Sequence, residues 1–335
     1  MPWRTAAVAA GLVGLLGLVV LLGLVLQAEG LQTAANIAQL VAVGLTAASS
    51  AVGLLVWRFG SAAATGPPTA DRVAQAADVL AGAVEGQWRA EALLRLLDDP
   101  HPMPVQWRLT RRPELTKIPE PGQHGFPAAE SRVGSSDRVA ELAERYRSLP
   151  RRRLVVLGGP GTGKTTLAVQ LVRSLLGTRR DGEPVPVLLS VSGWDTEEFP
   201  YLHQWLAERL DEDYPGLRAT PLGKAAAATL AERGAVLAVL DGLDELPPSA
   251  RAGVLTALNR SLSEDEGLIL TSRSGEFAEA AAGAGNALNA AAVIVPSALG
   301  TAAAADYLQA CLPVQPGPVW RSLLEGLRGP APAPT

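Results

Sequence analysis

Two long uncharged stretches open the hydrophobic and polar pattern of this chain. Ala6 to Leu26 carries no charge and is dominated by Leu, Val, Ala and Gly. As a helix rising about 1.5 Å per residue, it would cover roughly the 30 Å of a bilayer's hydrocarbon core. The polar link Gln27-Ala28-Glu29-Gly30-Leu31-Gln32-Thr33 leads to a second uncharged stretch, Ala34 to Trp57, diluted by Asn36, Gln39, Thr46, Ser49 and Ser50. Together they predict a two-helix transmembrane hairpin over residues 1–60. Small residues four apart (Ala7/Gly11, Gly44/Ala48, Ser49/Gly53) suit close helix packing, and Trp3 and Trp57 fall at the predicted water interfaces. Arg4 and Arg58 flank the spans while the link carries only Glu29, which orients both ends to the cytoplasm. A cleaved signal peptide is the rival for the first stretch. Its length, its single preceding arginine and the second span that follows weigh against that rival. A soluble helical hairpin is the rival for the second.

The pattern then changes period. Ser61 to Thr69 is a small, Pro/Gly-containing linker. Arg72 to Leu97 has apolar residues at helical spacing: Val73, Ala76, Val79, Leu80, Val84, Trp88, Leu93, Leu96 and Leu97. Pro100, Pro102 and Pro104 stop that helix, Pro113 to Pro127 is extended and proline-spotted, and Asp137 to Leu149 is a second amphipathic helix. Beyond it, strand-like runs (Leu154–Gly158, Val185–Val191, Val236–Leu240, Leu268–Thr271, Ala292–Val295) alternate with helix-like ones. The latter are Lys164–Leu176, Leu202–Leu210 with Leu222–Arg233, Ser249–Leu262, Glu276–Ala282 and Thr301–Cys311. Such alternation predicts an α/β fold with a parallel five-stranded sheet covered by helices on both faces. The expected domains are the hairpin (1–60), a linker with an amphipathic helix and a Pro-rich extended segment (61–136), the core (137–312), and a short helix with a disordered Pro/Ala-rich tail (313–335).

Composition narrows the chemistry. Of 335 residues, 48% are hydrophobic and 19% charged, and the formal net charge of −4 gives no support to a nucleic-acid partner. Arg151-Arg152-Arg153 reads as a solvated strand entry. A single cysteine, Cys311, excludes an internal disulfide, and three scattered histidines offer no metal-ligand spacing.

Gly158-Gly159-Pro160-Gly161-Thr162-Gly163-Lys164-Thr165, continuing into Thr166, is a complete phosphate-binding loop between an apolar strand and a helix. Its glycines let successive N–H groups point at phosphate oxygens, and the following helix adds its free N-terminal N–H groups and the positive end of its dipole. Lys164 is expected at the β- and γ-phosphates of ATP, and the Thr165 hydroxyl on Mg²⁺. Further on, Val236-Leu237-Ala238-Val239-Leu240 runs into Asp241-Gly242-Leu243-Asp244-Glu245. A buried strand thereby delivers Asp241 to Mg²⁺, directly or through water. Asp244 and Glu245 follow about one turn later; one of them should polarise the attacking water, and Glu245 has the longer reach. The next strand ends in Thr271-Ser272-Arg273, polar residues expected to face the γ-phosphate; Arg273 is expected to sense that phosphate or stabilise transition-state charge, an ordinary strand-end arginine being the alternative.

These three motifs together resemble the NACHT family of signal-transduction ATPases, P-loop NTPases of the STAND class. A Walker B with a small residue after its first Asp and a further acidic pair is that family's mark. His101-Pro102-Met103-Pro104-Val105-Gln106-Trp107-Arg108, Val187-Leu188-Leu189-Ser190-Val191-Ser192-Gly193-Trp194 and Leu202-His203-Gln204-Trp205-Leu206 resemble segments of actinobacterial members. The likeness spans roughly residues 85–325. It implies binding of ATP and ADP, weak ATPase activity, self-association on ATP binding, and a protein trigger or effector. Family members continue into a helical lid and a winged helix whose histidine contacts ADP. Here Thr335 follows soon after the fifth predicted strand and its helix, so the expectation is a truncated frame or a core that borrows its regulation from another chain. The expected function is a membrane-anchored ATP switch. The alternative is a nucleotide-dependent membrane effector or scaffold with negligible turnover, and a motor-type or transport-related ATPase ranks last because no Leu-Ser-Gly-Gly-Gln signature occurs.

Overall fold

The computed structural model describes residues 68–94, 103–116, 132–312 and 316–329. The strands in chain order are β1 (Gln106–Leu109), β2 (Arg132–Ser135), β3 (Arg153–Leu157), β4 (Val185–Ser190), β5 (Val236–Asp241), β6 (Leu268–Ser272) and β7 (Ala292–Pro296). The helices are α1 (Ala70–Leu94), α2 (Val139–Ser148), α3 (Lys164–Gly177), α4 (Leu202–Asp213), α5 (Ala226–Glu232), α6 (Pro248–Ser261), α7 (Ser274–Gly283), α8 (Thr301–Cys311) and α9 (Pro318–Arg328). The uncharged stretches 6–26 and 34–57 lie outside the described residues, as does the tail beyond Gly329. Among the described residues no helix is long and apolar enough to cross a membrane.

The sheet corrects the five-stranded expectation: among the described residues it has seven strands, in the order β2-β1-β7-β3-β6-β5-β4. The five anticipated strands are there and run parallel. β1 and β2 extend them past β7, each antiparallel to its neighbour, so the sheet is mixed. What drives the addition is burial. Trp107 of β1 and Val133 of β2 are both fully buried, and Gln106–Leu109 otherwise holds too few apolar residues to register as a strand. The inner strands β3 and β6 are buried at every position, the expected pattern for parallel strands covered on both faces. The connection from β3 to β4 crosses the sheet one way and that from β6 to β7 the other. With right-handed crossovers, α3 and α7 therefore lie on opposite faces.

α1 belongs to the core. Ala76, Leu80, Val84 and Trp88 form one buried stripe at four-residue spacing, whereas Val79 and Leu93, one residue off that stripe, face solvent. The helix packs on α3, α5 and β4, and the Tyr214 hydroxyl donates to Gln87 Oε1 at 2.9 Å. Burial pushes the Tyr214 phenol up to about 12.

Arg153 corrects the solvated-entry expectation. It is 2% exposed, and its guanidinium donates to the carbonyls of Asn289 (3.0 Å), Glu266 (3.2 Å), Leu262 (3.3 Å) and Ser263. Burial lowers its pKa from the usual arginine value, with the neighbouring Arg151 adding to the effect. A planar fork with five donors can satisfy several loop carbonyls at once, which no ammonium can do. Arg153→Lys should therefore cost about 2 kcal/mol through carbonyls left unpaired. A fall in melting temperature of roughly 4–8 °C is expected; an unchanged melting curve would show that the fork is not needed.

Candidate functional site

The phosphate-binding loop leaves β3 at Gly158 and enters α3 at Lys164. Its geometry depends on glycine at the two ends. A Cβ on Gly158 would lie 2.5 Å from Thr162 Oγ1 and 3.3 Å from the Pro296 ring. Gly163 caps α3 with φ 82°, a left-handed conformation, and supplies no side-chain cap. The first intrahelical bond runs from Leu167 N–H to Gly163 O at 2.8 Å, so the N–H groups of Lys164, Thr165 and Thr166 remain for a ligand. Gly159, Pro160 and Gly161 form the exposed tip, and the Thr162 hydroxyl ties it by donating to Gly159 O at 2.9 Å. The Lys164 ammonium donates to Gly158 O at 3.0 Å and Gly159 O at 3.1 Å and has no carboxylate partner among the described residues.

Asp241, the last residue of β5, is held from two sides. Thr165 Oγ1 donates to its Oδ2 at 2.8 Å, and the hydroxyl of Thr271 on β6 donates to its Oδ1. Thr271 in turn accepts the Gly242 N–H at 3.0 Å. One carboxylate thus joins the start of α3 to the ends of β5 and β6. This set fits a magnesium-bound triphosphate. Mg²⁺ takes one or two protein oxygens alongside phosphate oxygens and water. Thr165 and Asp241 offer such a pair beside a loop of free N–H groups and a lysine.

The acidic string divides into two environments. Asp244 is largely buried and already engaged: its carboxylate accepts the Arg273 backbone N–H at 3.1 Å and meets Arg273 Nε at 2.9 Å. Arg273 also approaches Glu276 at 3.7 Å and remains about half-exposed. Glu245 is exposed, and its carboxylate forms no ion pair among the described residues. It folds over Gly242, where a Cβ would stand 2.9 Å from Glu245 Cδ and where φ is +84°. The left-handed backbone is what calls for glycine after the first Asp; the Glu245 side chain, being exposed, could move aside.

The structure brings together every residue of the three sequence motifs at one rim of the sheet. Sequence reasoning missed two features. It took Thr271 as facing phosphate, whereas its hydroxyl positions Asp241. It also assigned no role to Arg108, Arg111 and Arg112. These line a cleft of about 770 Å³ that reaches Gly158 and Gly159 from the β1–β7 side. Three arginines within five residues were a visible signal; what hid it was that Gln106–Leu109 is not recognisable as a strand.

Residues 152–313 match the model of the NACHT domain family, whose domains are nucleotide-binding signalling NTPases. No curated protein and no solved structure matches the chain.

Proposed function

We propose that this NACHT-type P-loop NTPase is a membrane-anchored switch: it binds ATP with Mg²⁺, hydrolyses it slowly, and self-associates in the ATP-bound form. The observation that carries the nucleotide part is the linkage of Thr165, Asp241 and Thr271 across the ends of three elements. Bound Mg·ATP supplies a γ-phosphoryl group for transfer to water. Lys164 and the loop's N–H groups would neutralise and orient the phosphates, and Thr165 and Asp241 would hold Mg²⁺. Glu245, exposed and without an ion pair among the described residues, would accept the proton of the attacking water. Asp244 holds Arg273 beside the site, and the guanidinium's remaining donors face the charge that develops. Hydrolysis then removes the group that those donors read, which resets the switch.

Family likeness supports self-association, and the uncharged stretches 6–26 and 34–57 support the anchor. In this reading both ends of the hairpin are cytoplasmic, and the trigger is a protein. The test compares the full chain in detergent with Mg·ATP and with Mg·ADP, by sedimentation and by phosphate release. Larger particles with ATP than with ADP, and slow turnover, are expected. Equal particle sizes in the two nucleotides would remove the switch, and release of the chain from membranes by a carbonate wash would remove the anchor.

A further inference from the structure

We propose that the arginine-lined cleft beside the phosphate-binding loop receives the acidic loop Asp195–Glu198 of a second copy of this chain, in a head-to-tail contact. The proposal rests on the self-association in the functional reading above and names the surfaces that would make it.

The basic side is built rather than incidental. Arg108 sits where the pairing of β1 with β2 shifts register, between Trp107 and Arg108. Irregularities of that kind re-aim a side chain. Arg108 and Arg112 are exposed, and neither has a carboxylate partner among the described residues. The chain as a whole carries a net charge of −4, so this concentration of arginine runs against its overall balance. A planar guanidinium is matched to a carboxylate in bidentate geometry.

The acidic side is the loop that leaves β4 and runs against α6, where Thr196 comes close to Gly253 and the Leu202 N–H donates to Ser261 Oγ at 2.9 Å. Asp195, Glu197 and Glu198 follow β4, the last strand in the order, and all three are exposed. Asp195 Oδ1 accepts the N–H of Glu197 at 2.8 Å and that of Glu198 at 3.4 Å, which fixes the turn. The carboxylates of Glu197 and Glu198 form no ion pair among the described residues.

Both surfaces are at the rim that carries the phosphate-binding loop. Ser190 ends β4 opposite Asp241, and Arg108 stands opposite Val295 near the end of β7. β1 and β4 are five strand spacings apart, roughly 24 Å. The two surfaces lie apart on one rim, so the acidic loop of one copy can meet the arginine cleft of the next, and the same contact repeats with each added copy. That is a heterologous interface, which closes into a ring or extends as a filament. Gly158 and Gly159 line the cleft as well as the phosphate site, so the contact and the nucleotide would act on one loop.

The test uses two charge-reversed full chains, Arg108→Glu with Arg112→Glu and Glu197→Arg with Glu198→Arg, studied in detergent with Mg·ATP by sedimentation velocity. Each should associate at least ten-fold more weakly than the wild type at low salt. An equimolar mixture should recover association, because alternating copies again meet with opposite charges, and added salt should weaken wild-type association. Melting curves check folding. If a reversed pair melts early, the Gln versions of the same pairs should still weaken association. Undiminished association of either variant, or no recovery from a mixture of two well-folded variants, overturns this contact and leaves the switch standing. A wild-type chain that stays monomeric with Mg·ATP overturns both.

Discussion

Glu245→Gln should leave Mg·ATP affinity near the wild-type value while hydrolysis falls by about 10²–10⁴-fold, the usual contribution of a positioned general base. The change keeps the size and most of the hydrogen-bonding capacity of the side chain but removes the group that takes a proton. Because the Glu245 carboxylate makes no ion pair among the described residues, its loss leaves no buried partner stranded and the fold should not respond. Asp241→Asn offers the contrast. Its carboxylate accepts two hydroxyls, from Thr165 and Thr271, so that substitution should weaken Mg²⁺-dependent binding itself. Phosphate release under single-turnover conditions, together with titration of a fluorescent ATP analogue, separates the two. Equal losses of affinity in both variants would contradict the division of roles.

Lys164→Ala should weaken ATP binding about 100-fold, equivalent to ~3 kcal/mol, the upper range for hydrogen bonds to a charged group. Among the described residues the ammonium meets two loop carbonyls, at 3.0 and 3.1 Å, and no carboxylate that would compete with phosphate for its charge. The Gly159 carbonyl is exposed and can turn to water while that of Gly158 is part-buried, so the melting temperature should fall only slightly. An analogue that binds the Ala variant as tightly as the wild type would show that the loop does not grip a triphosphate.

The parallel half of the sheet was legible because its strands are continuous apolar runs between turn residues. Leu154–Leu157 and Val236–Leu240 are buried at nearly every position, and their periodicity differs plainly from that of the helices between them. The helix Thr301–Cys311 was legible as a continuous run of helix-compatible residues between Gly300 and Pro313. β1 and β2 were not. Gln-Trp-Arg-Leu and Arg-Val-Gly-Ser are four residues each, and their strand character comes from partners far along the chain. Arg153 was misread for a related reason. An arginine in a basic run looks solvated until the carbonyls of Leu262, Glu266 and Asn289 fold around it, and backbone groups leave no mark in a sequence. At the site, residue identity was legible and engagement was not. Asp244 and Glu245 are adjacent carboxylates, and only the fold assigns Arg273 to one of them.

The two added strands also bear on how the chain is made. Leu109 pairs with Ile294, 185 residues later, and among the described residues β2 pairs with β1 alone. At roughly 5–20 residues per second, β1 and β2 would leave the ribosome about 10–40 s before β7 exists to receive them. Through that interval Trp107 has no core to enter, and β1 presents open backbone donors and acceptors on the side β7 will occupy. Synthesis of this chain therefore includes a window in which its earliest strands need shielding, by a chaperone or by the ribosome surface. Slowing translation between residues 109 and 294 should lengthen that window and lower the yield of folded protein.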